Sequence, residues 1–353
     1  KGRASAADKT AVLDRIRPAV DYDALSGCDL VIEAVFEDRK VKADVIAKLQ
    51  AVIPDKAIFA SNTSTLPITS LAANYKDAEK YIGIHFFSPV DRMMLVEVIM
   101  GKETGEAALA TALDYVRAIR KTPIVVNDSH GFYTSRVVET YIGEGHRMLI
   151  EGVSPALIEN AGRMAGMPVG PLALNDEVAL DLSWKILQAT RKDLGEAYEP
   201  RPIDRILEEM VVRRGRFGRK NARGFYDYPE EGRKRLWPGI AEIAAPSANG
   251  FEVESLKQRL ILIQALETAR CFEEGVLTDV READVGAILG FGFAPFTGGP
   301  LSHLDTLGPG AVAETCQAYA EGLGPRYRPP ALLLDMGKAG DRFYRRFPPA
   351  SAA

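Results

Sequence analysis

The sequence predicts an α/β region followed by an all-α region: an incomplete, doubly wound sheet, then two repeated helical domains. Three observations lead there. Short apolar runs alternate with amphipathic helical patterns as far as Asn127, the rhythm changes at Gly131 to long helices joined by Gly- and Pro-rich loops, and one loop signature recurs in the second half.

Each element follows from its local pattern. After a polar start, residues 1–18 carry a helical pattern in which Ala7, Val12, Leu13 and Ile16 share a face, ended by Pro18. Cys28 to Phe36, built around the β-branched Val31, Ile32 and Val35, reads as a strand buried on both faces. Asp38 to Ile53 is an amphipathic helix stopped by Pro54-Asp55, and Ala57 to Ala60 is the next strand. Ser61 to Thr65 form a turn into a short helix over Ile68 to Ala72, after which Tyr81 to His85 is again a strand. A Ser88-Pro89 turn leads to a strand over Leu95 to Met100, a helix from Thr104 to Arg120, and a strand from Pro123 to Asn127. Tyr133 to Ile150 is helical, with Val137, Val138, Tyr141, Met148 and Leu149 as its core stripe.

The recurring signature pairs Glu151-Gly-Val153, Gly170-Pro171 and Asp176 with Glu274-Gly-Val276, Gly299-Pro300 and Asp305. In both, the Gly-Pro pair precedes its aspartate by the same interval, which predicts two copies of one helical unit. The expected domains are therefore 1–128, 129–229 and 250–347, with Pro229 to Asn249 as a polar linker.

Composition narrows the function classes. The 353 residues are 46% hydrophobic and 26% charged with a formal net charge of −4, which gives no electrostatic reason for nucleic-acid binding. Cys28, Cys271 and Cys316 are far apart and lack ligand spacing, so no metal site is expected. Neither a membrane span nor a signal-peptide core is visible, and the expected location is cytoplasmic. A doubly wound sheet that binds a dinucleotide carries GxGxxG after its first strand, and no such turn precedes Cys28. The glycines near Gly215 and Gly290 do not follow a strand that opens a helix. Leu30 to Val35 would also be a bare sheet edge, so the sequence reads as the C-terminal part of a longer chain.

The chemistry is concentrated between Ser61 and Glu97. His85 is one of only four histidines, and Glu97 lies twelve residues on, across a short connection that can bring the two side by side. A carboxylate on one imidazole nitrogen fixes the tautomer and makes the other nitrogen a better base, as proton removal from a secondary alcohol requires when hydride leaves for a nicotinamide. A core histidine satisfied by a neighbouring glutamate has the same spacing, so both readings stand. The hydroxyls of Ser61 to Thr65 could hold the substrate oxygen or could simply shape a turn. Glu33, Glu37 and Lys42 are solvated charges at a helix start or flank a nucleotide bound across the strand ends.

The motifs SNTS, HFFSP with MLVE, GFYTSR, GMPVGP and FGRKNARGFYDY together resemble the 3-hydroxyacyl-CoA dehydrogenase family, over roughly Ala24 to Phe347. The HFFSP spelling and the second helical copy are similar to the long multifunctional form, in which an enoyl-CoA hydratase domain precedes the dehydrogenase. The resemblance implies a Rossmann-type sheet, NAD as cofactor, a 3-hydroxyacyl-CoA substrate, fatty-acid β-oxidation as the setting, and a thiolase subunit as partner. It implies His85 as general base with Glu97 orienting it, Ser64 and Ser135 at the substrate, and Ala34, Glu37, Lys42, Ser64, Ser88 and Lys220 around the cofactor. Ser135 departs from the family's usual asparagine in GFxxNR, which puts chain-length preference and rate in doubt. Two other readings are a non-catalytic scaffold subunit, against which the retained His85 and Glu97 argue, and a 3-hydroxy acid dehydrogenase of the 6-phosphogluconate type, against which HFFSP and the duplicated helices argue.

Overall fold

The computed structural model describes residues 4–200, 202–248 and 250–348, so the polar start at residues 1–3 and the last linker position, Asn249, lie outside it. Five strands form one sheet in the order β1 to β5: β1 (Leu30–Glu33), β2 (Ile58–Ser61), β3 (Tyr81–Phe86), β4 (Leu95–Met100) and β5 (Thr122–Asn127). The first three strands are parallel, β4 runs antiparallel to β3, and β5 is parallel to β4. The connecting helices are α2 (Arg39–Leu49), α3 (Ile68–Ala72) and α4 (Glu106–Ala118), preceded by α1 (Ala6–Leu13).

Continuous apolar strands are explained by cover on both faces. Ile58, Ala60, Ile82, Ile84, Val96 and Val98 pack under Ala108, Ala112 and Val116 of α4, whereas Phe59, Tyr81, Leu95, Ile99 and Ile124 face the larger core shared with the helical region. Gly83 lets α3 approach β3, because a Cβ there would lie within 2.9 Å of the Ile68 and Ile99 side chains.

Three expectations need correction. The strand expected over Cys28 to Phe36 is only four residues long. Beyond it the Val35 N–H turns to the Glu33 carboxylate at 3.1 Å, a local bond that competes with the ladder. The apolar face expected on the first helix is not buried: no residue of α1 is covered, Val12 and Leu13 are exposed, and the helix stops before Pro18. The stretch from Pro229 to residue 248 is not a bare linker. Trp237 donates its backbone N–H to Phe225 at 2.9 Å, Arg214 and Arg216 lie over its ring, and Ile240 is buried on α10 (Ile240–Ile243). An indole and an isoleucine give this stretch more apolar surface than its polar composition suggests.

The helical region comprises α5 (Thr134–Ile150), α6 (Pro155–Met164), α7 (Pro171–Val178), α8 (Leu180–Leu194) and α9 (Pro202–Leu207). Beyond α10 come α11 (Val253–Glu273), α12 (Val280–Phe291), α13 (Pro300–Leu307), α14 (Pro309–Leu323), α15 (Ala331–Ala339) and α16 (Phe343–Arg346). Corresponding carboxylates do corresponding work in the two halves. Glu159 accepts the Leu172 and Ala173 amides at the start of α7 and the Tyr226 hydroxyl, while Asp284 accepts the Leu301 and Ser302 amides at the start of α13 and the Tyr344 hydroxyl. Asp176 holds the Phe225 and Tyr226 amides, and Asp305 holds those of Phe343 and Tyr344.

Helices α5 and α11 exchange reciprocal ion pairs. Arg136 of α5 reaches Glu267 of α11 and Glu274 just past its end at 2.7 and 2.6 Å, and Arg259 of α11 reaches Glu144 of α5 and Glu151 just past its end at 2.5 and 2.6 Å. Each of the three corresponding pairs, Arg136 with Arg259, Glu144 with Glu267 and Glu151 with Glu274, is separated by 123 residues. Residue i meeting j while j's counterpart meets i's is the pattern of an isologous contact, here within one chain.

The second half also covers β5, the edge of the sheet. The Asn127 N–H donates to the Val276 carbonyl at 2.8 Å and the Val125 N–H to Glu282 at 3.2 Å, so amides that would template a foreign strand are occupied. Burial pushes the half-buried Glu282 carboxyl up to about 7 against that donated bond. The unfolded chain therefore releases this proton first, and stability falls as pH rises from about 4.5 to about 7. Glu282→Gln, which cannot ionise, should raise the thermal midpoint above about pH 7 and leave it unchanged below about pH 4.5. An equal shift at both pH values would show that ionisation is not the cause.

Candidate active site

Strands β1, β2 and β3 are parallel, so the loops after Glu33, Ser61 and Phe86 leave the sheet at one edge. That edge is where open α/β sheets bind ligands. His85 sits one residue before the end of β3, directly opposite Glu97 in the antiparallel register with β4. Directly opposed residues share a face, which turns a separation of twelve residues into contact. His85 Nδ1 lies 2.9 Å from Glu97 Oε2. Glu97 is fully buried and His85 is 7% exposed. Phe87 and Phe132 flank the imidazole with centroids 4.5 and 6.4 Å away. Among the described residues no hydrogen bond uses His85 Nε2, so that nitrogen is the one available to a ligand.

Four donors converge on Glu97. Oε1 accepts the backbone N–H of Tyr133 at 3.2 Å and of Thr134 at 3.0 Å, while Oε2 accepts the Thr134 hydroxyl at 2.7 Å together with His85 Nδ1. Glu97 thereby caps α5, whose N-cap residue Tyr133 makes no side-chain cap of its own. The sequence reading missed Thr134; its only signal was that GFYTSR opens a helix with a hydroxyl residue.

The hydroxyl-rich turn is organised from below by two carboxylates. Ser61 donates to Glu33. Glu37 Oε1 takes the Thr63 hydroxyl at 2.5 Å, the Ser64 and Thr65 amides at 3.1 Å, and the Thr65 hydroxyl at 3.1 Å. Burial pushes the Glu37 carboxyl up, but the Thr63 and Thr65 bonds and the Lys42 ammonium outweigh it and hold it below the usual carboxylate range. Lys42 is 1% exposed, with its ammonium 2.9 Å from Glu33 and 3.4 Å from Glu37. Asn62 accepts the Phe86 amide at 2.8 Å and so fixes the strand end beside His85. Of the five turn residues, Ser64 alone makes no side-chain hydrogen bond among the described residues.

The remaining expected residues are placed as follows. Ser135 donates its hydroxyl to the Ser64 carbonyl at 3.1 Å, so it meets the turn directly. Ala34 and Ser88 are exposed just past the ends of β1 and β3. Lys220 belongs to the helical region, where it pairs with Asp181 at 2.5 Å. His85, Glu97, Ser64 and Ser135 thus form one connected group, Glu37 and Lys42 support it, and Lys220 is tied elsewhere. Asp128, another residue the pattern did not reveal, accepts the Ile68 and Thr69 amides at 2.8 Å and caps α3. No group of metal-ligating side chains occurs among the described residues, and no described helix is long and apolar enough to cross a membrane.

Comparison with known proteins gives two matching family models: 3-hydroxyacyl-CoA dehydrogenase, NAD binding domain, over residues 1–129, and 3-hydroxyacyl-CoA dehydrogenase, C-terminal domain, over residues 131–228. Among solved structures, (S)-3-hydroxybutyryl-CoA dehydrogenase from Ralstonia eutropha is 35% identical, with a TM-score of 0.58 over 64% of this chain and 80% of that one. The dehydrogenase part of multifunctional enzyme 1 from C. elegans is 27% identical, with a TM-score of 0.64 over 94% of this chain and 77% of that one. 3-Hydroxybutyryl-CoA dehydrogenase from Escherichia coli K12 shares the fold at 24% identity, with a TM-score of 0.80 over 96% of this chain and 87% of that one.

Proposed function

Since the chain belongs to the 3-hydroxyacyl-CoA dehydrogenase family and carries its NAD-binding domain, we propose that it oxidises the 3-hydroxyl of an (S)-3-hydroxyacyl-CoA thioester in fatty-acid β-oxidation, with His85 as the base. The observation that carries this reading is the 2.9 Å contact between His85 Nδ1 and buried Glu97, with Nε2 left unbonded at the ligand-binding edge. Nε2 takes the hydroxyl proton, and Glu97 stabilises the imidazolium that forms. Ser64, aided by Ser135, holds the substrate oxygen as it changes from alcohol to carbonyl.

The residues present fit the nicotinamide end of NAD. Ala34 and the 86% exposed Phe36 follow β1 and lead into Glu37, which holds the Ser64 turn. Ala34 and Ser88 line that crevice and Glu37 and Lys42 support its floor, whereas Lys220 is held by Asp181 in the helical region and would have to leave that pair to reach the cofactor. When bound, NAD supplies the hydride acceptor. The glycine-rich turn suited to a pyrophosphate is not in residues 1–353, so no residue here is assigned to it.

The domain reading proposed is 1–128, 129–229 and 250–347, the last two being copies of one unit. The matched carboxylate contacts and reciprocal α5–α11 ion pairs support it. An upstream hydratase domain, a thiolase partner and a cytoplasmic location belong to the same proposal, and the similarity to the dehydrogenase part of a multifunctional enzyme supports the first of these. The test is NADH formation by the full-length protein from NAD and (S)-3-hydroxyacyl-CoA thioesters of increasing chain length. Turnover that needs both reactants is expected; NAD binding without turnover at any chain length would favour the scaffold reading.

A further inference from the structure

We infer that Thr134 is a positioning residue for the reaction: its hydroxyl fixes the Glu97 oxygen that selects the His85 tautomer. The inference rests on the reading of His85 and Glu97 as the base pair. Oε1 of Glu97 is pinned by two backbone amides, which any residue at positions 133 and 134 other than proline would supply. Oε2 is different. It accepts His85 Nδ1 at 2.9 Å and the Thr134 hydroxyl at 2.7 Å, and Thr134 is 1% exposed, so no water replaces that donor freely.

The rings of Phe87 and Phe132 also flank the imidazole, and they impose no preference on which nitrogen carries the proton. Among the described residues Glu97 Oε2 is the one hydrogen-bond partner of the imidazole, holding hydrogen on Nδ1 and leaving Nε2 bare, so whatever fixes Oε2 fixes the proposed base. Thr134 begins α5, a helix of the other structural region, and the adjacent Ser135 hydroxyl is bonded to the Ser64 carbonyl. One helical turn therefore grips both the base pair and the turn beside it. The base is fully organised only while α5 is docked on the sheet.

The test compares Thr134→Val, which keeps the shape and removes the donor, with Thr134→Ser, which keeps the donor, in the full-length protein with NAD and (S)-3-hydroxybutyryl-CoA. In metal sites, removing the partner that orients a histidine lowers activity about 10- to 100-fold, and an orienting partner of a general base is expected to act over the same range. That loss is expected in kcat for valine, with both KM values within about twofold, whereas serine should restore kcat to within about threefold. Nitrogen-15 NMR of His85, assigned by difference from His85→Gln, should show the Nδ1–H form in the wild type and a tautomer mixture in Thr134→Val. Wild-type kcat in the valine variant, a serine variant as slow as valine, or a loss confined to KM would overturn the inference. Should valine disturb packing, Thr134→Ala repeats the comparison with a smaller side chain. Undiminished turnover by His85→Gln would instead remove the base-pair reading itself.

Discussion

His85→Gln should lower kcat for 3-hydroxyacyl-CoA oxidation by about 10²- to 10⁴-fold, the range contributed by a positioned general base. Glutamine can still donate a hydrogen bond towards Glu97, but it offers no nitrogen that takes a proton at neutral pH. NAD affinity should stay within about twofold, because the proposed role sets His85 against the substrate hydroxyl and gives it no part in holding the nucleotide. Steady-state turnover with NAD titration separates the two quantities, and turnover near the wild-type rate would remove His85 from the mechanism. Glu97→Gln is a less clean test. Its amide nitrogen would face donors from Tyr133, Thr134 or His85, and an unsatisfied buried donor costs about 1–3 kcal/mol. Slow turnover in that variant would mix lost chemistry with a loosened α5.

Arg259→Ala should give the largest stability loss outside the apolar core, about 3–5 kcal/mol, because it breaks a buried pair and leaves charge behind. Arg259 is 4% exposed and bonds Glu144 and Glu151, and Glu144 is 1% exposed with Arg326 as its other partner. The counterpart substitution Arg136→Ala should cost less, since its side chain and Glu274 are more open to water. Chemical denaturation of the two variants checks the order, and equal losses would show that burial does not set the cost.

The pH dependence of this network has a definite sign. Burial pushes the Glu144 carboxyl up, but Arg326 and Arg259 outweigh it and hold the group below its ordinary 4.5. Its contribution is complete above about pH 4.5 and fades as pH falls through the depressed value. The gap between wild type and Arg259→Ala should therefore narrow in acid.

Local patterns carried the fold far. Nearly continuous apolar runs identified the strands because a sheet covered on both faces buries every position: Ile58 to Ser61 and Leu95 to Ile99 are buried throughout, with Ser61 and Glu97 as the polar exceptions that belong to the site. The first helix shows the limit of that method. An apolar stripe at Val12 and Leu13 predicts a buried face only where a neighbour covers it, and among the described residues none does.

The candidate site divides in the same way. His85, Glu97 and the Ser64 turn were legible because they lie within one short connection of the sheet, where strand order and register follow from nearby sequence. The contacts of Thr134 with Glu97 and of Ser135 with Ser64 span 37 and 71 residues, and no periodicity encodes such contacts. Glu37 and Lys42 were legible as residues near the site, but only the folded chain shows them turned inward to build the Ser64 turn.

By itself, then, the sequence determined the succession of strands and helices, the recurrence in the helical half and a histidine opposite a carboxylate, all of which depend on spacing along the chain. Tertiary structure alone decided that Glu97 caps α5, that the Thr134 hydroxyl meets the Glu97 oxygen facing His85, and that the second helical half covers β5. Those contacts depend on which surfaces dock, and docking is set by the three-dimensional complementarity of distant segments.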